Sequence, residues 1–150
     1  MRLVLYQPDI PQNAGTLLRL AACMDVGVDI VEPCGFLFSD RHFRRAGLDY
    51  LPEAALIRHQ SWAAYRATQP AVRLIALSAH ADTPYTSFHF RPDDALLLGQ
   101  ESTGLPPEVE DVSHARLRIP MRAGLRSLNV AVAAAMVLGE ALRQTDGWPA

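Results

Sequence analysis

The sequence predicts an α/β fold in which a mainly parallel sheet is flanked by helices. Short apolar runs alternate along the chain with segments whose apolar residues recur at helical spacing. The run Ala95–Leu98 contains no polar residue, which is typical of a strand buried on both faces between helices. The 150 residues, 49% of them hydrophobic, can bury one core, so we expect a single domain over residues 1–150.

Each predicted helix carries a start or stop signal. Gly27 is expected to end the first helix, and Ser39 and Asp40 to cap the second. Ser61 is expected to cap the third helix and Ser127 the last. In chain order, strands are predicted over residues 2–6, 28–33, 55–59, 73–78, 95–98 and 116–120, and helices over 13–27, 39–47, 61–68, a short segment from 106, and 127–144.

Composition favours a cytoplasmic protein without a bound metal. The apolar start of the chain breaks at residues 7–9, Gln-Pro-Asp, before a signal peptide could form, and no apolar run is long enough to span a membrane. The two cysteines, Cys23 and Cys34, are too few for a disulfide framework, as expected in a reducing compartment. The five histidines show no paired spacing typical of metal ligands.

The basic residues are all arginine and lie partly in clusters, although the net charge is only −2. One cluster lies in the second predicted helix and another follows the short helix near residue 106. Solvated surface charge explains either cluster taken alone. Because a guanidinium fork suits phosphate, the clusters also keep RNA binding open. The candidate RNA-binding residues are Arg41, Arg44, Arg45, Arg122 and Arg126.

Polar residues follow three predicted strands, in the segments 7–19, 99–104 and 119–129. Each residue alone has a structural explanation: Asn13 and Ser127 as helix caps, Gly104 as a turn residue with positive φ, and Glu101 as a solvated acid. Three polar strand ends in one small sheet favour a ligand site, because open α/β sheets bind ligands at the carboxyl ends of their strands.

The order of these motifs resembles the SPOUT class of RNA methyltransferases, in the branch that methylates ribose 2'-hydroxyls. The motifs are N-x-G-x-x-x-R over residues 13–19, G-x-E-x-x-G-L over 99–105, I-P-M over 119–121 and S-L-N-V-A-V-A over 127–133. Two further segments, 31–36 and 44–50, resemble the small single-domain members that act on the wobble nucleotide of tRNA. The sequence departs from the family at Gln100, where proline is common, so the resemblance alone does not predict a rigid loop there.

This resemblance implies a deep C-terminal trefoil knot, which is an exception to the rule that protein chains are not knotted. It also implies a homodimer that binds S-adenosylmethionine and methylates a ribose 2'-hydroxyl in the tRNA anticodon stem-loop, at the wobble cytidine or uridine. The family's cofactor-contacting positions match Leu77, Gly99, Ile119 and Ser127, with Met121 and Leu128 as neighbours. Its catalytic residues correspond to Arg19, Asn13, Glu101, Ser127 and Asn129.

Three of these expectations follow from the chemistry of particular residues. Gly99 is expected to let the backbone approach the cofactor because it has no Cβ. Arg19 is expected to act as a fixed positive charge rather than a base, because a guanidinium keeps its proton near neutral pH. The last helix is expected to form the dimer contact through a shallow alanine surface and apolar neighbours: Ala131, Ala133, Ala134, Ala135, Val130, Val137 and Leu138.

Two other functions remain open at this point. A ribosomal RNA 2'-O-methyltransferase would use the same chemistry on another substrate. A non-catalytic RNA-binding dimer could keep the fold without binding the cofactor. A phosphate-cradling nucleotide enzyme is disfavoured because no predicted strand leads into a P-loop sequence.

Overall fold

Seven parallel strands form the centre of the fold. The computed structural model describes residues 1–47 and 55–150, and the statements below concern these ranges. The strands are β1 Arg2–Tyr6, β2 Gly27–Val31, β3 Leu56–His59, β4 Leu74–Leu77, β5 Thr83–Pro84, β6 Ala95–Leu98 and β7 Ala115–Arg118. The helices are α1 Pro11–Cys23, α2 Arg41–Gly47, α3 Trp62–Thr68, α4 Pro107–Glu110 and α5 Val130–Thr145, with a 3-10 turn at Tyr85–Ser87.

The strand order is β3-β2-β1-β6-β4-β7-β5, and every pairing is parallel. From β1 the chain first builds one side of the sheet, through β2 and β3, and then the other. The predicted class of a parallel sheet flanked by helices is therefore confirmed. The trefoil knot stays a prediction with which this strand order is compatible.

Both faces of the sheet are covered, which is why β6 is apolar throughout. Leu96 and Leu98 lie in the core cluster that α1 and α5 complete. Leu97 lies on the opposite face with Tyr65 of α3 and Val109 of α4. Successive strand residues alternate between faces, and every position of β6 is buried under one of the two layers. Functional groups can therefore leave this strand only at its ends.

The first helix differs from its predicted range at both ends. It begins at Pro11, because proline is suited to the first helical turn, and it ends at Cys23. Gly27 does not stop the helix but opens β2. The turn between the two elements uses Asp25, which has a φ of 52°.

The predicted helix caps are correct at two helices and wrong at the last one. The Ser61 side chain accepts a hydrogen bond from the Ala64 N–H and caps α3. Asp40 accepts from the backbone of the first turn of α2. Helix α5 is capped by Asn129, not by Ser127. The prediction also missed β5 and the 3-10 turn, and residues 48–50 of the segment 44–50 lie outside the described residues.

Most of the apolar residues expected to form a dimer contact on α5 are buried in the core of their own chain. Ala134, Val137 and Leu138 are at most 1% exposed. Of the predicted contact residues Ala135 is exposed, and beside it the large apolar side chains of Val132 and Met136, one turn apart, are 50% and 41% exposed. Among the described residues, no helix combines the length and the apolar character needed to cross a membrane.

Candidate functional site

A cleft of about 840 Å³ lies at the carboxyl ends of β4, β6 and β7. It is bounded by the segments that follow these strands and by the start of α1 and of α5. The cleft lies where ligands bind in open α/β sheets, and its volume is in the range of small-molecule sites. All six residues predicted to contact a cofactor line it: Leu77, Gly99, Ile119, Met121, Ser127 and Leu128.

The β6 loop, residues 99–105, forms one wall of the cleft and is closed by its own hydrogen bonds. The Gly104 N–H donates to the Gln100 carbonyl at 2.8 Å, and the Gln100 N–H donates back to the Gly104 carbonyl at 3.2 Å. The Thr103 hydroxyl donates to the Gln100 side-chain oxygen at 2.7 Å. Gly104 has a φ of 71°, as predicted for a turn glycine. These bonds constrain the loop although it lacks the family's proline.

Gly99 is required by the chain itself. A Cβ placed on this residue would lie 2.5 Å from the carbonyl carbon of Gly104 and 2.6 Å from the nitrogen of Leu105. The space beside Gly99 is therefore filled by the end of its own loop. This is a different reason from the expected approach to a cofactor, because a side chain here would first open the loop.

Asp9 and Glu101 join the end of β1 to the β6 loop through reciprocal bonds. The Asp9 N–H donates to Glu101 Oε2 at 3.0 Å, and the Glu101 N–H donates to Asp9 Oδ1 at 3.1 Å. The Ser102 hydroxyl donates to Asp9 Oδ2. Each carboxyl group thus accepts from the backbone of the other residue, which fixes the relative position of two segments 92 residues apart.

Two asparagines extend this network to the start of α5. Asn129 Oδ1 accepts from the N–H groups of Ala131 and Val132, so its Nδ2 must face the other way. That Nδ2 donates to Asn13 Oδ1 at 2.9 Å, and Asn13 Nδ2 donates to Glu101 Oε1 at 3.3 Å. The helix cap therefore determines the orientation of both amides.

The pKa values of Asp9 and Glu101 are shifted in opposite directions. The hydrogen bond with Glu101, supported by Ser102, lowers the pKa of Asp9. Burial raises the pKa of Glu101, and the hydrogen bond with Asp9 raises it further. As the pH falls, Glu101 therefore takes up a proton before Asp9 does. Asp9 keeps its negative charge and continues to accept from the β6 loop.

The structure brings most of the predicted catalytic residues together but leaves Arg19 outside the group. Asn13, Glu101, Ser127 and Asn129 line the cleft. Arg19 is exposed and is not a lining residue. It follows Asn13 by six residues, which places it about 240° around the axis of α1 at the usual 100° per residue. The two side chains therefore leave the helix in different directions.

The predicted RNA-binding arginines are exposed at two places. Arg41, Arg44 and Arg45 lie on α2, outside the cleft. Arg122 and Arg126 lie in the segment between β7 and α5, and only Arg126 lines the cleft. The two groups could contact separate parts of a large polyanion, whereas a small anion in the cleft would meet Arg126 alone.

Sequence reasoning missed Asp9, which takes part in as many hydrogen bonds of the site as Glu101 does. In the sequence it reads as part of a polar break after β1. A usable signal was present, because an acid between two prolines just after a buried strand lies at the edge where ligands bind. Over the described ranges, no group of three or more His, Cys, Asp or Glu side chains is arranged to hold a metal ion.

The cleft offers the chemistry that an adenosine group needs. Leu77, Ile119, Met121 and Leu128 supply an apolar surface. The strand ends beside them supply backbone donors and acceptors, which suit the edge of a purine. The polar network lies beside this surface, where the side-chain amide of Asn13 can donate a hydrogen bond to a hydroxyl or a phosphate. The residues present therefore fit a nucleoside cofactor and a polar acceptor placed next to it.

Comparisons with known proteins agree with this geometry. The chain matches the family model described as SpoU rRNA Methylase family over residues 1–139. It is 62% identical over 144 residues to a tRNA (cytidine(34)-2'-O)-methyltransferase of Beijerinckia indica, covering 95% of this chain and 90% of that relative.

Solved structures give the same result at the level of the fold. A structure described as "Structural insights into the 2-OH methylation of C/U34 on tRNA" superposes with a TM-score of 0.91 at 44% identity, covering 95% of this chain and 94% of that chain. The AdoMet-bound rRNA methyltransferase of Sinorhizobium meliloti superposes with a TM-score of 0.86 at 26% identity, covering 95% of this chain and 55% of that chain.

Alanine at Gly99 is expected to destabilise the protein more than alanine at Gly104. At Gly104 the added Cβ meets no atom within 4 Å, so the cost is the left-handed backbone, about 1 kcal/mol. At Gly99 the Cβ meets backbone atoms, so the loop must move. Urea denaturation should rank the two variants, and amide exchange at Gly104 should accelerate in Gly99→Ala. Equal stability losses with unchanged exchange would contradict the assigned role of Gly99.

Proposed function

The chain belongs to the SpoU rRNA methylase family, and on that premise we propose that it methylates the ribose 2'-hydroxyl of tRNA nucleotide 34, a cytidine or uridine. The observation that carries the proposal is the high identity, over nearly the full length of both chains, with a tRNA (cytidine(34)-2'-O)-methyltransferase. The chain is 62% identical to the tRNA-modifying relative but only 26% identical to the rRNA methyltransferase. This difference favours tRNA over ribosomal RNA.

S-adenosylmethionine is the cofactor, and when bound it supplies a methyl group activated by a sulfonium. The residues that would hold it are those of the apolar cleft wall, Leu77, Ile119, Met121 and Leu128, together with the backbone of the β6 loop. The loop is already closed on itself by the bonds between Gln100 and Gly104, so little chain entropy is lost when a ligand enters.

The polar network beside this wall is proposed to place the acceptor ribose. Asn13 has one amide hydrogen committed to Glu101, and its second is a donor for a hydroxyl or phosphate oxygen. Asn129 and Glu101 hold that amide in one orientation. Such orientation lowers the entropy that must be lost when the 2'-hydroxyl aligns with the methyl group. Ser127, exposed at the mouth of the cleft, is placed to contact either ligand.

Arg19 is proposed to act in the cleft of a second copy of the chain. It does not line the cleft of its own chain, so a catalytic role requires a neighbouring subunit. The homodimer is supported by the apolar stripe of Val132 and Met136 on α5, a helix that packs against α1. In that arrangement the Arg19 charge would stabilise the negative charge that develops on the 2'-oxygen as its proton is lost to water, before the oxygen takes the methyl group and the carbon–sulfur bond breaks with its electrons staying on sulfur.

The remaining parts of the proposal concern the surroundings of the site. The exposed arginines of α2 and of the segment before α5 would contact the phosphates of the anticodon stem-loop. Recognition of a loop nucleotide is expected, because single-stranded bases can be splayed out for contact. We further propose that the chain acts as one domain in the cytoplasm, where its cysteines, both free thiols, would persist.

The decisive experiment is methyl transfer to a defined tRNA. Incubation with labelled S-adenosylmethionine and unmodified tRNA should yield one 2'-O-methyl group at nucleotide 34, located by mass spectrometry of nuclease fragments. A tRNA with 2'-deoxyribose at position 34 should accept none. Methylation of ribosomal RNA fragments instead would support the rRNA alternative. Absence of heat on titration with S-adenosylhomocysteine would support a non-catalytic RNA-binding dimer.

Arg19→Ala is expected to lower single-turnover methylation by roughly a hundredfold, the scale seen when one electrostatic stabiliser is removed. Arg19→Lys should keep part of the activity because it keeps the charge. Both variants should bind S-adenosylhomocysteine normally, since the Arg19 charge is assigned to the ribose oxygen and not to the cofactor. Equal loss in the lysine and alanine variants would contradict a role based on charge.

Mixed dimers test which cleft Arg19 serves. Leu128→Glu places a charge on the apolar wall and should abolish cofactor binding in its own subunit. A heterodimer of Arg19→Ala and Leu128→Glu should recover about half of the wild-type activity, because one of its two sites is complete. An inactive heterodimer would show that Arg19 acts within its own chain.

Neutralising Arg41, Arg44 and Arg45 with glutamine should weaken tRNA binding and flatten the dependence of log affinity on log salt. The slope should fall by about 1 for every phosphate that the protein no longer neutralises. Affinity for S-adenosylhomocysteine should not change. Arg143→Gln is the control, because Arg143 is an exposed arginine paired with Glu140 at 2.8 Å. An unchanged salt slope in the triple variant would leave the cluster as solvated surface charge.

A further inference from the structure

Asp9 occupies the junction between the cofactor cleft and the segment that leads to α2. On one side its carboxylate accepts from the Glu101 N–H and from the Ser102 hydroxyl, both in the β6 loop. On the other side lies Gly35, whose N–H donates to the Pro8 carbonyl at 2.9 Å. Two surfaces with different proposed ligands therefore meet at one residue.

The contact between Asp9 and Gly35 is too close for any other residue. A Cβ on Gly35 would lie 2.7 Å from Asp9 Cβ and 2.8 Å from Asp9 Cα. No water or side chain can separate the two segments at this distance. A displacement of Gly35 toward Asp9 would therefore push the Asp9 backbone, and a displacement of Asp9 toward Gly35 would push the segment that contains Gly35.

Aromatic packing continues the connection from Gly35 to the arginine-bearing helix. The rings of Phe36 and Phe38 lie 5.4 and 4.9 Å from the ring of Phe43. Phe43 belongs to α2 and is buried, whereas its neighbours Arg44 and Arg45 are exposed. The helix is thus attached to the segment beside Asp9 through its buried face, and its charged face remains available to a polyanion.

We propose that Asp9 is a positioning residue that couples RNA binding on α2 to cofactor binding in the cleft. The proposal rests on the proposed function. When RNA phosphates hold α2, the packing through Gly35 holds Asp9, and the carboxylate holds the β6 loop in the form that binds the cofactor. Each ligand then binds more tightly when the other is present, and linkage requires the same factor in both directions.

The test is a thermodynamic cycle with two ligands. S-adenosylhomocysteine is titrated calorimetrically into the protein with and without an anticodon stem-loop RNA that carries cytidine at position 34. In the wild type the RNA should tighten the affinity about tenfold, within the range usual for coupled sites. The affinity for RNA should increase by the same factor when S-adenosylhomocysteine is present.

Asp9→Asn should reduce this factor to near 1, because it removes the negative charge and one of the two acceptor oxygens that hold the Glu101 N–H and the Ser102 hydroxyl. Ser102→Ala removes one of the two bonds and should reduce the factor in part, which provides a milder variant if Asp9→Asn folds poorly. Asp25→Asn is the control, because it is the same substitution beyond the other end of α1. Asp25 already has a positive φ, and its replacement should leave the factor unchanged.

The ratio of the S-adenosylhomocysteine affinities with and without RNA distinguishes a positioning role of Asp9 from a general loss of cofactor affinity. A purely structural loss would weaken S-adenosylhomocysteine binding equally with and without RNA, and the factor would stay near ten. That result in Asp9→Asn, or a wild-type factor of 1, would overturn the proposal. Failure of the proposed function has a different signature, namely that the wild type binds one ligand or neither, or transfers no methyl group to nucleotide 34.

Discussion

The hydrogen bonds from Asp9 through Glu101 and Asn13 to Asn129 are the constraint on which the cleft depends. Strands β1 and β6 pair through their backbones and pack through buried apolar side chains on both faces. Beyond their last residues this pairing stops, and the segments that follow need other contacts to stay in place. The polar network supplies those contacts, and it also includes the first turn of α5. Three segments distant in sequence thus become one surface.

The network also explains why amides and acids are used together. A carboxylate only accepts hydrogen bonds, whereas an amide both donates and accepts them. A series of hydrogen bonds through amides to a carboxylate therefore runs in one direction, from donor to acceptor. That direction begins at the N–H groups of α5, whose positive helix end favours the Asn129 oxygen. It ends at the Glu101 carboxylate, which accepts from Asn13 Nδ2 and, on its other oxygen, from the Asp9 N–H. A reversed amide at Asn13 would face its oxygen toward Glu101 and lose both bonds.

The sequence was sufficient to predict most of the elements and a group of polar residues at the strand ends, but not which of those residues contact one another. Strand β6 and the cap at Ser61 follow from local pattern and were correct. Gly27 was misplaced because glycine ends helices and also fits a strand beside a bulky neighbour. Here the Arg2 guanidinium fills the space that a Cβ on Gly27 would need. Ser127 and Asn129 are both good caps two residues apart, and only the contact with Asn13 selects the second.

The position of Arg19 makes the oligomeric state part of the catalytic question. The motif that contains Asn13 and Arg19 is a single short stretch, yet helix geometry directs its two polar residues to different surfaces. A helix with Asn13 in one cleft can use Arg19 only where another molecule approaches its outer face. The exposed residues Val132 and Met136 give such an approach an apolar contact on α5, the neighbouring helix. If Arg19 takes part in the reaction, the motif therefore requires the dimer. Asn13 then lies in the cleft of its own subunit, and Arg19 acts in the cleft of the other subunit.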